Sequence, residues 1–460
     1  MLFRSTLDGD GSFAKQGTSS LIMTGSNTTT GGFSISDGTV TFSGAKTFPV
    51  TGTVTVINSG GVILDSNGTY GGLNQSLVLS ATQSVNPVMS ITSNATPTFR
   101  GDVTLAAGIN RIEANGSSGV LTLSGSLAGS GTLLKAASGE LVLAGNGNSA
   151  SGATQVGNGK ITVNPGSSLG TGDLTMAQTG INNSRVNFTN TMQTIGNLAT
   201  VWSATAQALT TAITQQIDLA VGTTLTINQT GTTTFGDYIS APANVTGLGL
   251  ITGAGSIVKA GPGTLSFSGS NSFTGTTLVS GGILEILPAS KLSSSAGVTV
   301  ANGGWLKVNG EVGRVDTSVD IAVQAGGLLG GSGVVYGTVD GSGQVGPGNS
   351  AGIFTSAATN PTNGLGYNFE LTGTGAPGWG NAMASVNDVW RLTGASPFTA
   401  SLTTANVINI FFGSDLAANT TYLGGFFTDA TAGSFSNFLS TVRSEEHTSE
   451  LQSRQYLVCR

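Results

Sequence analysis

The sequence predicts an all-β solenoid, and three observations carry that reading. Apolar residues alternate with small polar ones at a period of two nearly end to end, as in Leu121-Thr122-Leu123, Thr224-Leu225-Thr226-Ile227 and Val298-Thr299-Val300. That is the pattern of strands buried on one face. Glycine makes up 72 of 460 residues, more than twice the usual ~7%, and it punctuates the strands at corners. One pattern of strand, turn, strand, turn also recurs three times in a single register. Such a unit cannot bury its apolar face alone, whereas stacking further units on it gives one continuous core.

The cores of the three copies align without a gap on Lys15, Lys135 and Lys259, and their second halves with at most one residue of slip. Four residues before each lysine stands a glycine (Gly11, Gly131, Gly255), and two before stands an apolar residue (Phe13, Leu133, Ile257). Leu21, Leu141 and Leu265 follow six residues after, then Met23, Leu143 and Phe267, then Gly25, Gly145 and Gly269. The second half leads through Ile35, Val156 and Val279 to Gly38, Gly159 and Gly282. It closes on Val40 and Phe42, Ile161 and Val163, and Leu284 and Ile286. The lysine itself has two readings. It is a solvated turn residue at the surface, as lone charges generally are, or a ligand contact shared by the copies. At about 20–25 residues per turn, as in other solenoids, the chain would hold about 20 turns. Stacked at ~4.8 Å, these would make a rod on the order of 100 Å long.

From Gly255 to Asn271 the chain reads G-x-x-x-K-x-G-x-G-x-L-x-x-S-G-x-N. This pattern resembles the autotransporter-associated β-strand repeat of bacterial surface proteins. The copy at Lys15 matches through Gly17, Leu21, Gly25 and Asn27; in the middle copy Ala137 replaces the glycine and Asn148 is displaced by one. The resemblance implies a right-handed parallel β-helix, exported to the cell exterior as the passenger of an autotransporter. A C-terminal outer-membrane barrel would carry it. Pro347-Gly348-Asn349-Ser350-Ala351-Gly352 resembles the P-G-x-S-x-G step that closes the repeat region in many such proteins.

Taken in order, residues 6–42 form the first repeat and 47–80 continue the alternation through Val50, Val54, Val56 and Val62-Ile63-Leu64. Asp65-Ser66-Asn67-Gly68 is a turn signal. Short strands carry Arg100 and Arg111, and the second repeat spans 125–163. Residues 204–219 (ATAQALTTAITQQIDL) hold few glycines and fit a short helix or a strand. Strands return over 222–235, the third repeat ends near Ile286, and 292–345 is again strand and turn. After residue 346 the strands lengthen and carry more aromatics, at 367–371, 388–392, 407–412 and 422–427. The expected organisation is repeats over 6–345 and final coils or an atypical β-rich C-terminal cap over 346–442.

The last eighteen residues, 443–460, are set apart. RSEEHTSELQSRQYLVCR is denser in charge than anything before it and holds the only histidine, His447, and the only cysteine, Cys459. RSEEHTSELQS reads as a translated sequencing-library adapter, and Leu2-Phe3-Arg4-Ser5 as the reverse strand of a similar one. The native chain is therefore expected to run from about residue 6 to 442 as a fragment, with export signal and anchor outside it.

Charged residues are 8% of the chain, against about 25% in ordinary domains. A net charge of −6 argues against nucleic acid, which requires clustered Lys and Arg. No apolar run approaches the ~20 residues of a membrane helix, and no signal peptide is present. Chemistry is sparse. Asp316 and Asp320, near Arg314, are the one carboxylate pair for glycosidase work, but a strand would hold them about 13 Å apart. Asp8-Gly9-Asp10-Gly11 begins like a calcium loop but lacks the later ligands and distal Glu. No catalytic, cofactor-binding or metal residue is assigned.

The expectation is an extracellular or outer-membrane-attached, adhesive surface protein. Its partner would be an unknown surface, glycan or protein ligand, met through Thr, Asn and Ser ladders on exposed faces. Membrane attachment would come only through a missing C-terminal segment. A carbohydrate-active, pectin-lyase-like β-helix enzyme is the alternative, and the same rod on a C-terminal sorting anchor is a third.

Overall fold

The computed structural model describes residues 1–371 apart from 5, 45–47, 49–51, 74, 82–87, 179–182, 190, 203–214, 237–248 and 349–351. Beyond these it describes 388–394, 406, 408–412 and 427–429. The chain divides into two compact units, residues 1–228 with 233–256, and residues 229–232 with 257 onward. Among the described residues the protein is all-β, with parallel sheets stacked as a β-solenoid of about 14 turns. The coils are uneven in length. Leu143 pairs with Val163, but Phe188 pairs with Leu219 and Leu219 with Gly253, so two coils take in much longer connections.

In the first unit the inward column Leu121, Leu141, Ile161, Val186, Ile217 and Ile251 runs in register through successive parallel strands. Each of these side chains is completely buried. The facing sheet stacks Thr132–Ala136 on Ile109–Glu113 and on Thr154–Val156, then Leu174–Gln178 and Leu198–Trp202. Near the start of this unit the filling is aromatic. Phe13 and Phe33 stack at 4.6 Å, and Phe48 meets Phe42 at 4.7 Å and Phe99 at 5.4 Å. Full burial of side chains of this size stabilises by about 1.5–3 kcal/mol each, and an apolar neighbour one coil away makes that burial continuous.

The second unit repeats the arrangement with Leu265, Leu284, Leu306, Leu329, Val345 and Tyr367 in one inward column. Past residue 346 the ladder continues. Gln344–Pro347 pairs with Gly366–Leu371, which pairs with Ile408–Phe412, and Val389–Leu392 joins Ile353–Asn360 to Phe427–Asp429. Trp390 packs on Phe354 and Tyr367, both at 5.6 Å, and its indole N–H donates to Ser356 Oγ at 2.9 Å. Burial pushes the Tyr367 phenol up to about 12.

Of the stretch that fitted helix or strand, Gln215–Leu219 is a strand between Ser184–Phe188 and Leu250–Gly253, while 203–214 lie outside the described residues. Alternation decides it: Ile217 and Leu219 face the core and Gln216 and Asp218 face out. Among the described residues the one helical element named is the short 3-10 turn Pro361–Asn363, and no helix is long and apolar enough to cross a membrane.

Candidate functional site

The alternation that builds the strands also aims the three aligned lysines inward. Leu133 and Ile257 face the core, so the residue two positions on takes the same side. Lys135 and Lys259 are completely buried and Lys15 is 9% exposed. Each ammonium donates to three backbone carbonyls. Lys135 Nζ reaches the oxygens of Ala136 and Ala137 at 2.8 Å and of Asn158 at 3.0 Å. Lys259 Nζ reaches Ala260 and Gly261 at 3.1 Å and Gly281 at 2.8 Å. Lys15 Nζ reaches Gln16 at 3.1 Å, Gly17 at 2.5 Å and Asp37 at 2.9 Å.

Two of the three carbonyls belong to the turn directly after the lysine, and the third comes from the matching corner one coil on. Three donors meet three acceptors, which fills the capacity of an ammonium. The reading of this lysine as a solvated surface residue is therefore corrected. Its donors are spent on backbone carbonyls, and it clamps two successive corners together. Burial pulls Lys135 down to about 7, against the attraction of Glu113 and Glu140. Burial likewise lowers Lys259 to about 8.

The glycines of the repeat make the clamp possible. The turn after the lysine needs a left-handed residue, supplied by Gly17 at φ 76° and Gly261 at φ 75°. In the middle copy Ala137 is held at φ 64°, where a Cβ is strained. The corner one coil on turns at Gly38, Gly159 and Gly282, with φ of 66°, 74° and 60°. A Cβ at any of the three would run into carbonyl oxygens of the preceding coil, and at Gly159 it would also lie 2.8 Å from Lys135 Nζ. The motif asparagine is a second tie. Asn148, although displaced by one in sequence, accepts from Leu127 N–H at 2.8 Å and donates to the Ser168 carbonyl at 2.6 Å, so it joins three coils. Asn27 and Asn271 are buried.

Polar side chains elsewhere are also engaged coil to coil. Asn94 Oδ1 accepts from Ser118 N–H at 3.2 Å and Oγ at 2.7 Å, and Asp102 Oδ1 from Ser126 at 2.8 and 2.7 Å. Asn67 does the same for Thr96 and Asp173 for Asn197. Three ion pairs follow register: Glu140 meets Lys160 at 2.9 Å, Glu285 meets Lys307 at 3.2 Å and Glu311 meets Lys291 at 2.9 Å. Each is a pair of register partners on adjacent strands.

The candidate carboxylates are not brought together as an acid/base pair would be. Asp316 is exposed and pairs with Arg314 at 3.0 Å, whereas Asp320 accepts from Thr338 N–H at 2.8 Å on another strand. Asp8 and Asp10 are exposed at a bend whose Gly9 carbonyl accepts from Thr30 N–H at 3.0 Å. No group of three or more His, Cys, Asp or Glu that could hold a metal occurs among the described residues. His447, Cys459 and the whole tail 443–460 lie outside the described residues, as do Asn349, Ser350 and Ala351 of the P-G-x-S-x-G step.

Comparison with known proteins adds one finding. The family model of the passenger-associated-transport-repeat matches residues 13–42, 133–163 and 257–286, about a fifth of the chain, and each match begins just ahead of a clamp lysine and ends just past its second corner. No curated protein matches the chain. Three such repeats on a parallel solenoid are consistent with an autotransporter passenger-like repeat protein.

Proposed function

We propose that a chain carrying three passenger-associated-transport-repeats is the stalk of an autotransporter-type passenger, exported and displayed on the bacterial cell surface. Its work is presentation and adhesion, not catalysis. The observation that carries this reading is the coincidence of the three matched segments with three clamped two-coil modules of a parallel solenoid. A core that grows along one axis suits a spacer, since length is added coil by coil without a new domain. The carboxylates support the same reading. Glu140, Glu285 and Glu311 are each tied to a lysine one coil away, and Asp316 and Asp320 have separate partners. A structural role is also what the repeat suggests.

The test is display. Residues 6–442 are fused between a signal peptide and an outer-membrane barrel translocator and expressed in a Gram-negative host. Antibody labelling of intact cells, with release of the chain by external protease, is the expected result, together with adherence to abiotic or cellular surfaces above that of the translocator alone. A chain that stays inside the cell envelope, or is displayed without any gain in adherence, would contradict the proposal.

A further inference from the structure

In the second unit, the sheet that turns Leu284, Leu306 and Leu329 inward turns Ile283, Trp305 and Leu328 outward, in register on three successive coils. Ile283 and Trp305 are half-buried and Leu328 is 42% exposed. The adjoining outward column holds Glu285, Lys307 and Gly330, followed by Gly346. A Cβ on Gly330 would lie 3.5 Å from Nε1 of Trp305. The indole thus reaches across the bare glycine of the next coil. Along its flank runs a polar rim. Lys307 Nζ stands 3.2 Å from Glu285 Oε1, which also accepts from Asn309 Nδ2 at 2.9 Å, while Ser266 Oγ donates to Glu285 Oε2 at 3.1 Å.

We infer that this strip is a saccharide platform for a neutral pyranose chain, which deepens the adhesive reading above and rests on it. An aromatic face accepts the C–H face of a sugar ring, while an ion pair beside it offers both a donor and an acceptor to hydroxyl groups. The rim's charges cancel, so it favours a neutral sugar over an acidic one. Size argues against a protein partner. Three coils at ~4.8 Å give an apolar strip about 10 Å long, the length of one or two sugar rings, and a strip one side chain wide covers far less than the ~800 Å² per partner of a stable protein interface.

The experiment titrates cellopentaose, maltopentaose and mannopentaose, with pentagalacturonate as the acidic probe, into the full chain by calorimetry. At least one neutral pentaose is expected to bind in the millimolar range, roughly 0.1–5 mM. Trp305→Ala and Leu328→Lys should each weaken it by about tenfold or more, with Trp305→Phe retaining most of the affinity. Leu328 is exposed enough for its variant to fold, so that variant decides if Trp305→Ala does not. No binding of any neutral pentaose at about 20 mM, binding indifferent to Leu328→Lys, or tighter binding of pentagalacturonate would each overturn the inference. A chain that is displayed and adherent but binds no pentaose loses the platform alone. One that binds a pentaose but is never displayed loses the stalk reading alone.

Discussion

A lysine buried against three carbonyls was readable in part from parity. Leu133 and Ile257 point inward, and position i+2 of a strand must share their face, so Lys135 and Lys259 were aimed at the core by the same count that found the strands. What hid this is a composition rule: lysine is almost never fully buried unless its charge is met, and the partners here are backbone oxygens that no sequence pattern displays. Removing the donor leaves those carbonyls without it. Lys135→Met and Lys259→Met should each cost about 2–4 kcal/mol, read from urea denaturation. The strained Ala137 gives a prediction of opposite sign. Ala137→Gly should stabilise by about 1 kcal/mol and Gly261→Ala should destabilise by about the same. The pH dependence also has a definite sign. With Lys135 near 7 and Lys259 near 8 in the folded chain, the unfolded chain holds more protons between about pH 7 and 10. Stability therefore rises with pH across that window, and the full burial penalty stands below it. Above pH 10 Tyr367 reverses the trend, since its folded value of about 12 keeps a proton that the unfolded chain loses. Urea titrations of the wild type and of the Lys135→Met, Lys259→Met double variant at pH 7 and 9.5 check this; the double variant should lose the rise.

At the scale of the strand and its corner, alternation found most of the fold. Val298-Thr299-Val300 and Leu121-Thr122-Leu123 are strands as read, with the predicted faces buried. The corners were less legible, because a glycine marks a turn without saying which coil it meets. Asn67-Gly68 read as a local turn signal, yet the side chain of Asn67 is spent on Thr96 of the next coil. The same holds for the Thr, Asn and Ser ladders expected on adhesive faces. Several of them, including Asn94 with Ser118 and Asp102 with Ser126, are corner ties within the solenoid. Truncating one should leave a backbone N–H and a hydroxyl unmet at a partly solvated corner. Asp102→Ala is expected to cost about 0.5–1.5 kcal/mol, with hydrogen exchange rising at 126–129 and little changed two coils away.

On the scale of the whole molecule, three segments of the solenoid, 13–42, 133–163 and 257–286, are clamped modules set among plainer coils. Fold class was legible because one periodicity runs through the chain. The candidate site was not, because its polar groups face inward at the clamps and elsewhere are shared between neighbouring coils that lie far apart in sequence. What unites these modules is that the repeat lysines are interior clamps. The most direct measurement is amine footprinting of the native full chain with an acetylating reagent at pH 7.4, read residue by residue by mass spectrometry. Lys160, Lys291 and Lys307, whose side chains are 35%, 43% and 28% exposed, should label fully. Lys135 and Lys259 should stay unlabelled until the chain is unfolded in urea, although their lowered pKa would make them the more reactive amines if reagent reached them. Native labelling of Lys135 and Lys259 at the rate of Lys291 would contradict the account and return these lysines to the surface.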